Sequence, residues 1–147
     1  MSEIEYDKQE VQNHILMLIG ADDVPVQGKT LFVYQIFLIF KEVSPEVYPP
    51  FFPYQLGPYS NAVSHECNWL ISNKFVTAAK KGRGWTFELT DKGKSFIATL
   101  SMNTTPSGLI KRSQISRIKK CTHDIGLKKT TKFLKKKYPE YFINARI

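Results

Sequence analysis

Four consecutive residues near the middle of the chain have side chains that enzymes use for covalent and acid–base chemistry. Ser64, His65, Glu66 and Cys67 lie within the segment YSNAVSHECNWL (59–70). A serine or cysteine beside a histidine can form a nucleophile with its general base. Cysteine and histidine are also ligands of zinc. Whether these side chains act together depends on the secondary structure that carries them.

The segment is predicted to form a helix from about residue 61 to residue 73, with Ser60 as its N-cap. At about 100° per residue, Cys67 points to the core and His65 points roughly 160° away from it. These two side chains therefore cannot form a thiolate–imidazole pair within one helix. The chain contains neither HExxH nor CxxC, and Cys121-Thr122-His123 stands alone. We predict no catalytic residues, no metal site and no cofactor.

The outward face of this helix is polar. It contains Asn61, Ser64, His65 and Asn68. Asparagine can hydrogen-bond adenine, and serine can hydrogen-bond several bases in the major groove. An ordinary solvated helix face has the same composition, so the pattern alone leaves both interpretations open.

Two helices are predicted before this segment. The first contains Val11, Ile15 and Leu18 at helical spacing and ends near Gly20. We interpret its His14 as a surface or half-buried side chain rather than a ligand. The second, LFVYQIFLIFKEV (31–43), is apolar nearly all round, which predicts a buried central helix.

A basic hairpin is predicted after the third helix. Two strand-like segments, Phe75–Ala79 and Trp85–Leu89, flank the glycine-containing connection KKGRG (80–84). Its positive charges come from Lys80, Lys81 and Arg83. Thr90 then caps a further helix. Three helices, a basic hairpin and another helix form the order of a winged helix-turn-helix, whose third helix enters a major groove and whose wing contacts phosphate.

The positive charge is concentrated in the last third of the chain. Residues 1–100 carry a net charge of −2, whereas residues 101–147 carry +10. A helix is predicted over 109–126, with Ile110, Ile115, Ile118 and Cys121 inward and Gly126 as a break. A basic amphipathic helix follows over 127–138 and presents Lys128, Lys129, Lys132, Lys135 and Lys136. Such lysines can neutralise phosphates. An anionic membrane surface is a less favoured partner, and self-association of this helix stays open.

The connection SPEVYPPFFPYQLGP (44–58) carries five of the eight prolines. It should therefore be a long loop, because proline removes backbone donors and breaks helices. Its aromatic side chains either pack on the body of the protein or form a partner-binding surface. The candidates for that surface are Tyr48, Phe51, Phe52, Tyr54 and the adjoining Tyr59.

The segments FFPYQLGPYSNAV, NWLISNKFV and WTFELTDKGKSF resemble the Panacea-type (SocA-like) antitoxin domain. They are also similar to the YwgA-like prokaryotic proteins, whose C-terminal YPEY segment resembles YPEYFINARI here. The resemblance covers roughly residues 10–147 and implies a winged-helix fold. It implies toxin neutralisation less firmly, because many members of these families have no assigned function. The very basic last third departs from the antitoxins.

Composition limits the class of protein. The chain has 147 residues, 42% of them hydrophobic, and two cysteines. No apolar run approaches the roughly 20 residues that span a bilayer. An acidic, polar N-terminus is not that of a signal peptide. We therefore expect a cytoplasmic protein with reduced cysteines and no membrane association.

The expected fold is α+β and mainly helical. It comprises a winged helix-turn-helix domain over residues 1–100 and a basic helical C-terminal extension over 101–147 packed on it. The expected function is that of a non-enzymatic regulator that binds double-stranded DNA. The alternative is a protein-interaction module, an antitoxin or adaptor, that uses the aromatic-proline loop and the third helix. Homodimer formation is left open.

Overall fold

The computed structural model describes residues 6–82 and 84–143, and Arg83 lies outside them. The fold is α+β and mainly helical, with small antiparallel sheets. The helices of the described part are α1 (Lys8–Gly20), α2 (Lys29–Leu38), α3 (Asn61–Ser72), α4 (Asp91–Ile97) and α5 (Pro106–Lys137). The strands are β1 (Val26–Gln27), β2 (Phe52–Tyr54), β3 (Gly57–Tyr59), β4 (Val76–Lys81) and β5 (Gly84–Leu89).

Side-chain caps fix where the helices begin. Ser60 accepts a hydrogen bond from the Val63 amide at 3.2 Å, and Thr90 accepts one from the Gly93 amide at 3.1 Å. Each bond satisfies a first-turn N–H that has no partner within the helix. The caps predicted for α3 and α4 are confirmed.

Helix α2 is the central helix, as predicted, and a π-helical turn (Ile39–Val43) continues it. Its Phe32 and Ile36 join the main core with α1, α3 and the sheet. On another side, Tyr34 and Leu38 pack with Leu134 of α5 in a second cluster. Helix α2 therefore lies between the main core and the C-terminal half of α5.

The larger sheet has the strand order β1-β5-β4. Strands β4 and β5 form the predicted hairpin, with Val76 opposite Leu89 and Lys81 opposite Gly84. Strand β1 pairs with the other edge of β5 through Val26 and Phe87. The sequence did not indicate β1, because two residues are too few for a periodic pattern.

The proline-rich connection contains a second hairpin, β2–β3, which the prediction of a loop missed. Phe52 pairs with Tyr59, and Pro53 lies opposite Pro58. The prolines are tolerated because both strands of this two-stranded sheet are edge strands. Only Ser60 separates β3 from α3, so this hairpin lies directly at the start of α3.

Helix α5 is one span with a break inside it. Gly126 has φ 85° and ψ 170°, which confirms the predicted break between two helical halves. Two of the predicted inward positions are wrong, since Ile110 is 61% exposed and Cys121 is exposed. The chain instead turns Lys119 inward, where its ammonium donates to backbone carbonyls at the end of α1.

Candidate nucleic-acid interface

Helix α3 separates the four reactive side chains of the sequence. His65 is exposed and Ser64 is half-buried, whereas Cys67 is only 6% exposed and faces the core. Burial raises the pKa of the Cys67 thiol to about 11, so the thiol is protonated near neutral pH. Glu66 turns toward α1, where its carboxylate accepts hydrogen bonds from Tyr6 and Gln12. The quartet therefore does not converge on one point.

The polar face of α3 is present as predicted. Asn61, His65 and Asn68 are exposed, and Ser64 lies at the edge of the face. The one acidic residue of α3, Glu66, is 1% exposed. The outward face of α3 consequently presents amides, a hydroxyl and an imidazole, with no carboxylate to repel an anionic partner.

The β4–β5 hairpin directs its two described lysines to different faces. Lys80 lies opposite Trp85, and Lys81 lies opposite Gly84. Residues directly opposite each other in an antiparallel pair share a face, and successive residues alternate. Lys80 therefore emerges on the face of Trp85, and Lys81 on the other face. Both lysines are exposed, whereas the third predicted residue of the tip, Arg83, is outside the described residues.

A groove joins α3 to this face of the hairpin. It has a volume of about 440 Å³ and is lined by α2, α3 and both strands of the hairpin. Ser64 and Asn68 border it from α3, and Trp85 borders it from β5. Two residues of the polar face of α3 thus border the groove, and Lys80 lies beyond its lining on the same face of the hairpin as Trp85.

The C-terminal half of α5 carries a surface that we call the lysine face. It consists of Lys128, Lys129, Lys132, Lys135 and Lys136, all of them exposed. Thr130 and Leu134 on the opposite side of this half are fully buried. Within residues 6–82 and 84–143, the lysine face forms no ion pair, whereas neighbouring Lys137 is 2.8 Å from Glu42.

The lysine face and the polar face of α3 do not share a surface. Phe32 and Val33 of α2 border the groove beside α3. Tyr34 and Leu38 of α2 pack with Leu134 of α5. At about 100° per residue these two pairs fall on different sides of α2. The predicted set of nucleic-acid-binding residues is therefore divided between two surfaces.

The five aromatic residues of the alternative interpretation also divide. Tyr48 hydrogen-bonds Tyr141 at 2.9 Å, and the ring of Phe51 lies 5.2 Å from that of Phe37. Both are half-buried and pack against the core. Phe52 and Tyr54 remain 38% and 48% exposed, and each ring lies 5.7 Å from that of Tyr59.

Sequence reasoning missed Leu56 at the tip of the β2–β3 hairpin, which is 62% exposed. It extends the exposed apolar surface formed by Phe52 and Tyr54. Recognising a hairpin in the proline-rich segment would have placed Leu56 in its turn, where side chains are generally exposed.

His14 forms a Ser–His pair that the sequence did not indicate. Its Nδ1 lies 2.7 Å from the Glu10 carbonyl, so Nδ1 donates and Nε2 accepts from Ser44 at 2.8 Å. His14 is 1% exposed and Ser44 is fully buried, so the prediction of a surface or half-buried histidine is wrong. Burial lowers the pKa of His14. The pair is closed off from a substrate.

Among residues 6–82 and 84–143, no three His, Cys, Asp or Glu side chains are grouped as metal ligands. The helices in the same part of the chain are not long and apolar enough for any to cross a membrane.

Comparison with known proteins gives no further assignment: no family model, curated protein or solved structure matches the chain. The resemblance to Panacea-type and YwgA-like proteins therefore stays a prediction.

Proposed function

We propose that the protein is a non-enzymatic, DNA-binding regulator of the winged-helix type. In this proposal α3 enters the major groove and the β4–β5 hairpin is the wing. The observation that carries it is the sheet order β1-β5-β4 together with α3 directly before the hairpin. A winged helix has this arrangement, in which the strand after the first helix pairs with the second strand of the wing.

The chemistry of α3 favours DNA. Asn61, His65 and Asn68 are spaced four and three residues apart, which places them along one stripe of the helix. Asparagine side chains can read adenine through a bidentate pair of hydrogen bonds. Lys80, on the groove side of the hairpin, would contact backbone phosphate. Lys81 would add charge at the wing tip.

The connection between α2 and α3 departs from the short turn of a minimal helix-turn-helix. It includes the β2–β3 hairpin, whose last strand ends one residue before α3. A duplex that reaches Asn61 would therefore also approach Phe52 and Tyr54. This hairpin would limit how deeply the start of α3 enters the groove.

The lysine face is proposed as a second phosphate-binding surface on the extension formed by residues 101–147. Because α2 separates it from α3, one straight duplex segment would not contact both. It would instead hold a second segment or a bent continuation of the same duplex. Each phosphate that the lysine face neutralises makes the slope of log K against log salt concentration more negative by about 0.9.

Fluorescence anisotropy with labelled duplexes at two salt concentrations tests the proposal. Changing Asn61 and Asn68 to Ala should weaken specific binding and reduce discrimination between sequences. Lys80→Glu should weaken binding to all sequences, and Lys94→Glu on α4 is its matched charge control. Absence of binding at low salt, or equal effects of Lys80→Glu and Lys94→Glu, would contradict the proposal.

A second candidate is a protein-interaction module, an antitoxin or adaptor. The observation that favours it is the exposed apolar surface of Phe52, Tyr54 and Leu56 beside α3. Such a surface is typical of a protein-binding site when it is contiguous. This candidate function predicts that a protein partner is captured at high as well as low salt. Capture should be lost in a Tyr54→Ser, Leu56→Ser double variant and kept in Asn61→Ala.

A further inference from the structure

The groove between α2, α3 and the β4–β5 hairpin has the character of a small-molecule site. Its volume of about 440 Å³ falls in the range of about 300–1,000 Å³ that is usual for ligand pockets. The buried side chains of Phe32, Val63 and Phe87 form part of its lining. Half-buried Val33 and Trp85 leave apolar surface open to an occupant.

The polar groups that line this groove favour a ligand with a negative charge. Lys29 lines it, and its ammonium lies 4.9 Å from the centre of the Trp85 ring. Among the described residues that line the groove, none is acidic. No ion pair involves Lys29 in the part of the chain that the structure describes.

The N-terminus of α2 adds to the positive electrostatic potential of the groove. Lys29 is the first residue of α2, and the preceding Gly28 provides no side-chain cap. The positive end of the α2 dipole therefore lies at the same corner as the Lys29 ammonium. Ser64 and Asn68 supply a hydroxyl and an amide on the α3 side of the groove.

We propose that this groove binds a small aromatic carboxylate. The aromatic body would lie against Trp85 and the aliphatic lining, and the carboxylate would face Lys29. A cationic ligand would meet an uncompensated ammonium. A sugar-like ligand would leave its hydroxyls against apolar surface, which costs free energy.

Occupation of the groove has a consequence for DNA binding, and this consequence alone rests on the proposed function. The ligand would contact both α3 and the hairpin, so it would fix their separation. It would also lie beside Asn68 and Ser64. Aromatic carboxylates would therefore change the affinity for DNA, whereas binding of the ligand itself needs no DNA.

Tryptophan fluorescence can test ligand binding without DNA. The chain has two tryptophans, so a Trp69→Phe background leaves Trp85 as the reporter. We expect 2-naphthoate to change Trp85 emission saturably at sub-millimolar concentration. The neutral analogue 2-naphthalenemethanol should bind about fivefold more weakly, the upper end of what the loss of one exposed ion pair produces.

Two variants in the same background locate the site. Lys29→Gln should weaken 2-naphthoate binding about fivefold, whereas Lys94→Gln on α4 should leave it unchanged. Ala78→Leu should reduce binding by filling the groove from β4, with circular dichroism as the check on folding.

Equal binding of 2-naphthoate and its neutral analogue would overturn the assignment of an anion. No Trp85 response, or full binding by folded Ala78→Leu, would overturn the site. These outcomes are separate from failure of the DNA-binding proposal, because duplex DNA is absent throughout.

Discussion

Replacing Lys119 by Met should destabilise the protein far more than replacing its exposed neighbour Lys120. Lys119 is 4% exposed, and its ammonium donates to the Ile19 carbonyl at 3.0 Å and to the Ala21 carbonyl at 2.7 Å. It also donates to the carbonyl of Val24. One side chain of α5 thereby holds the turn that leads from α1 into β1.

The magnitude follows from what Met leaves behind. Met keeps an unbranched apolar side chain of similar length but removes the ammonium, so these carbonyls lose their charged donor. A hydrogen bond to a charged group contributes about 1.5–3 kcal/mol, and relief of ammonium desolvation offsets part of the loss. Water can replace the donor at the partly exposed Ala21. We therefore expect Lys119→Met to lower the free energy of unfolding by about 2–3 kcal/mol.

Urea unfolding followed by circular dichroism measures this difference. Lys120 is the control because its side chain is 73% exposed and its contact with Asp124 is 3.4 Å long. Lys120→Met should change the free energy of unfolding by less than about 0.5 kcal/mol. The reasoning is refuted if the two variants are equally stable.

The same pair of proteins gives a test by pH. Burial lowers the pKa of Lys119 to about 8 from its ordinary value of 10.5. Between these values the unfolded chain binds more protons than the folded chain, so stability rises with pH. The wild type should therefore gain stability relative to Lys119→Met across this window, by at most about 1.4 kcal/mol per pH unit. A relative loss would mean that the folded protein holds the ammonium more tightly than the unfolded chain does.

Two further changes test the packing of α3 and the break in α5. Glu66→Ala should lower the free energy of unfolding by about 2–3 kcal/mol, because it leaves buried Gln12 and half-buried Tyr6 without their acceptor. His65→Ala should cost less than about 0.5 kcal/mol, and equal urea midpoints for the two variants would contradict this. Gly126→Ala should lower the free energy of unfolding by about 1–3 kcal/mol in thermal unfolding, because alanine is strained at a φ of 85°. A steric clash adds nothing to this cost, since the new Cβ would meet no atom within 4 Å. Gly84→Ala, also in open space but without positive φ, should be nearly neutral.

Helical periodicity was sufficient for much of the fold. The length of residues 31–43 favoured a helix over a strand, and their nearly all-apolar character predicted that this helix is buried and central. The phase of α3 predicted that Cys67 faces inward and His65 outward, because both positions follow from 100° per residue. Local caps were equally readable, as Ser60 and Thr90 show.

Features that depend on distant partners were not readable. Periodicity favoured Cys121 over Lys119 as an inward residue. A lysine is buried only where the fold places hydrogen-bond acceptors around its ammonium. Those acceptors are carbonyls about one hundred residues earlier in the chain. Likewise, the burial of Glu66 depends on its donors on and before α1, more than fifty residues earlier in the chain.

The relation between the candidate surfaces was also beyond the sequence. The charge of the last third indicated phosphate binding, but the sequence left open whether its lysines share a surface with α3 and the hairpin. In the structure, helix α2 packs Leu134 of α5 on a side away from the groove. Both sides of α2 are apolar, so the sequence does not show which side α5 covers. Tertiary packing decides it.

Amide chemical-shift mapping with a short DNA duplex tests the central proposal most directly. We expect the largest changes on α3 at Asn61, His65 and Asn68 and on the hairpin at Lys80, with weaker changes on the lysine face at higher duplex concentration. Changes confined to the lysine face, or to Phe52 and its neighbours in β2–β3, would contradict a winged-helix mode of DNA binding.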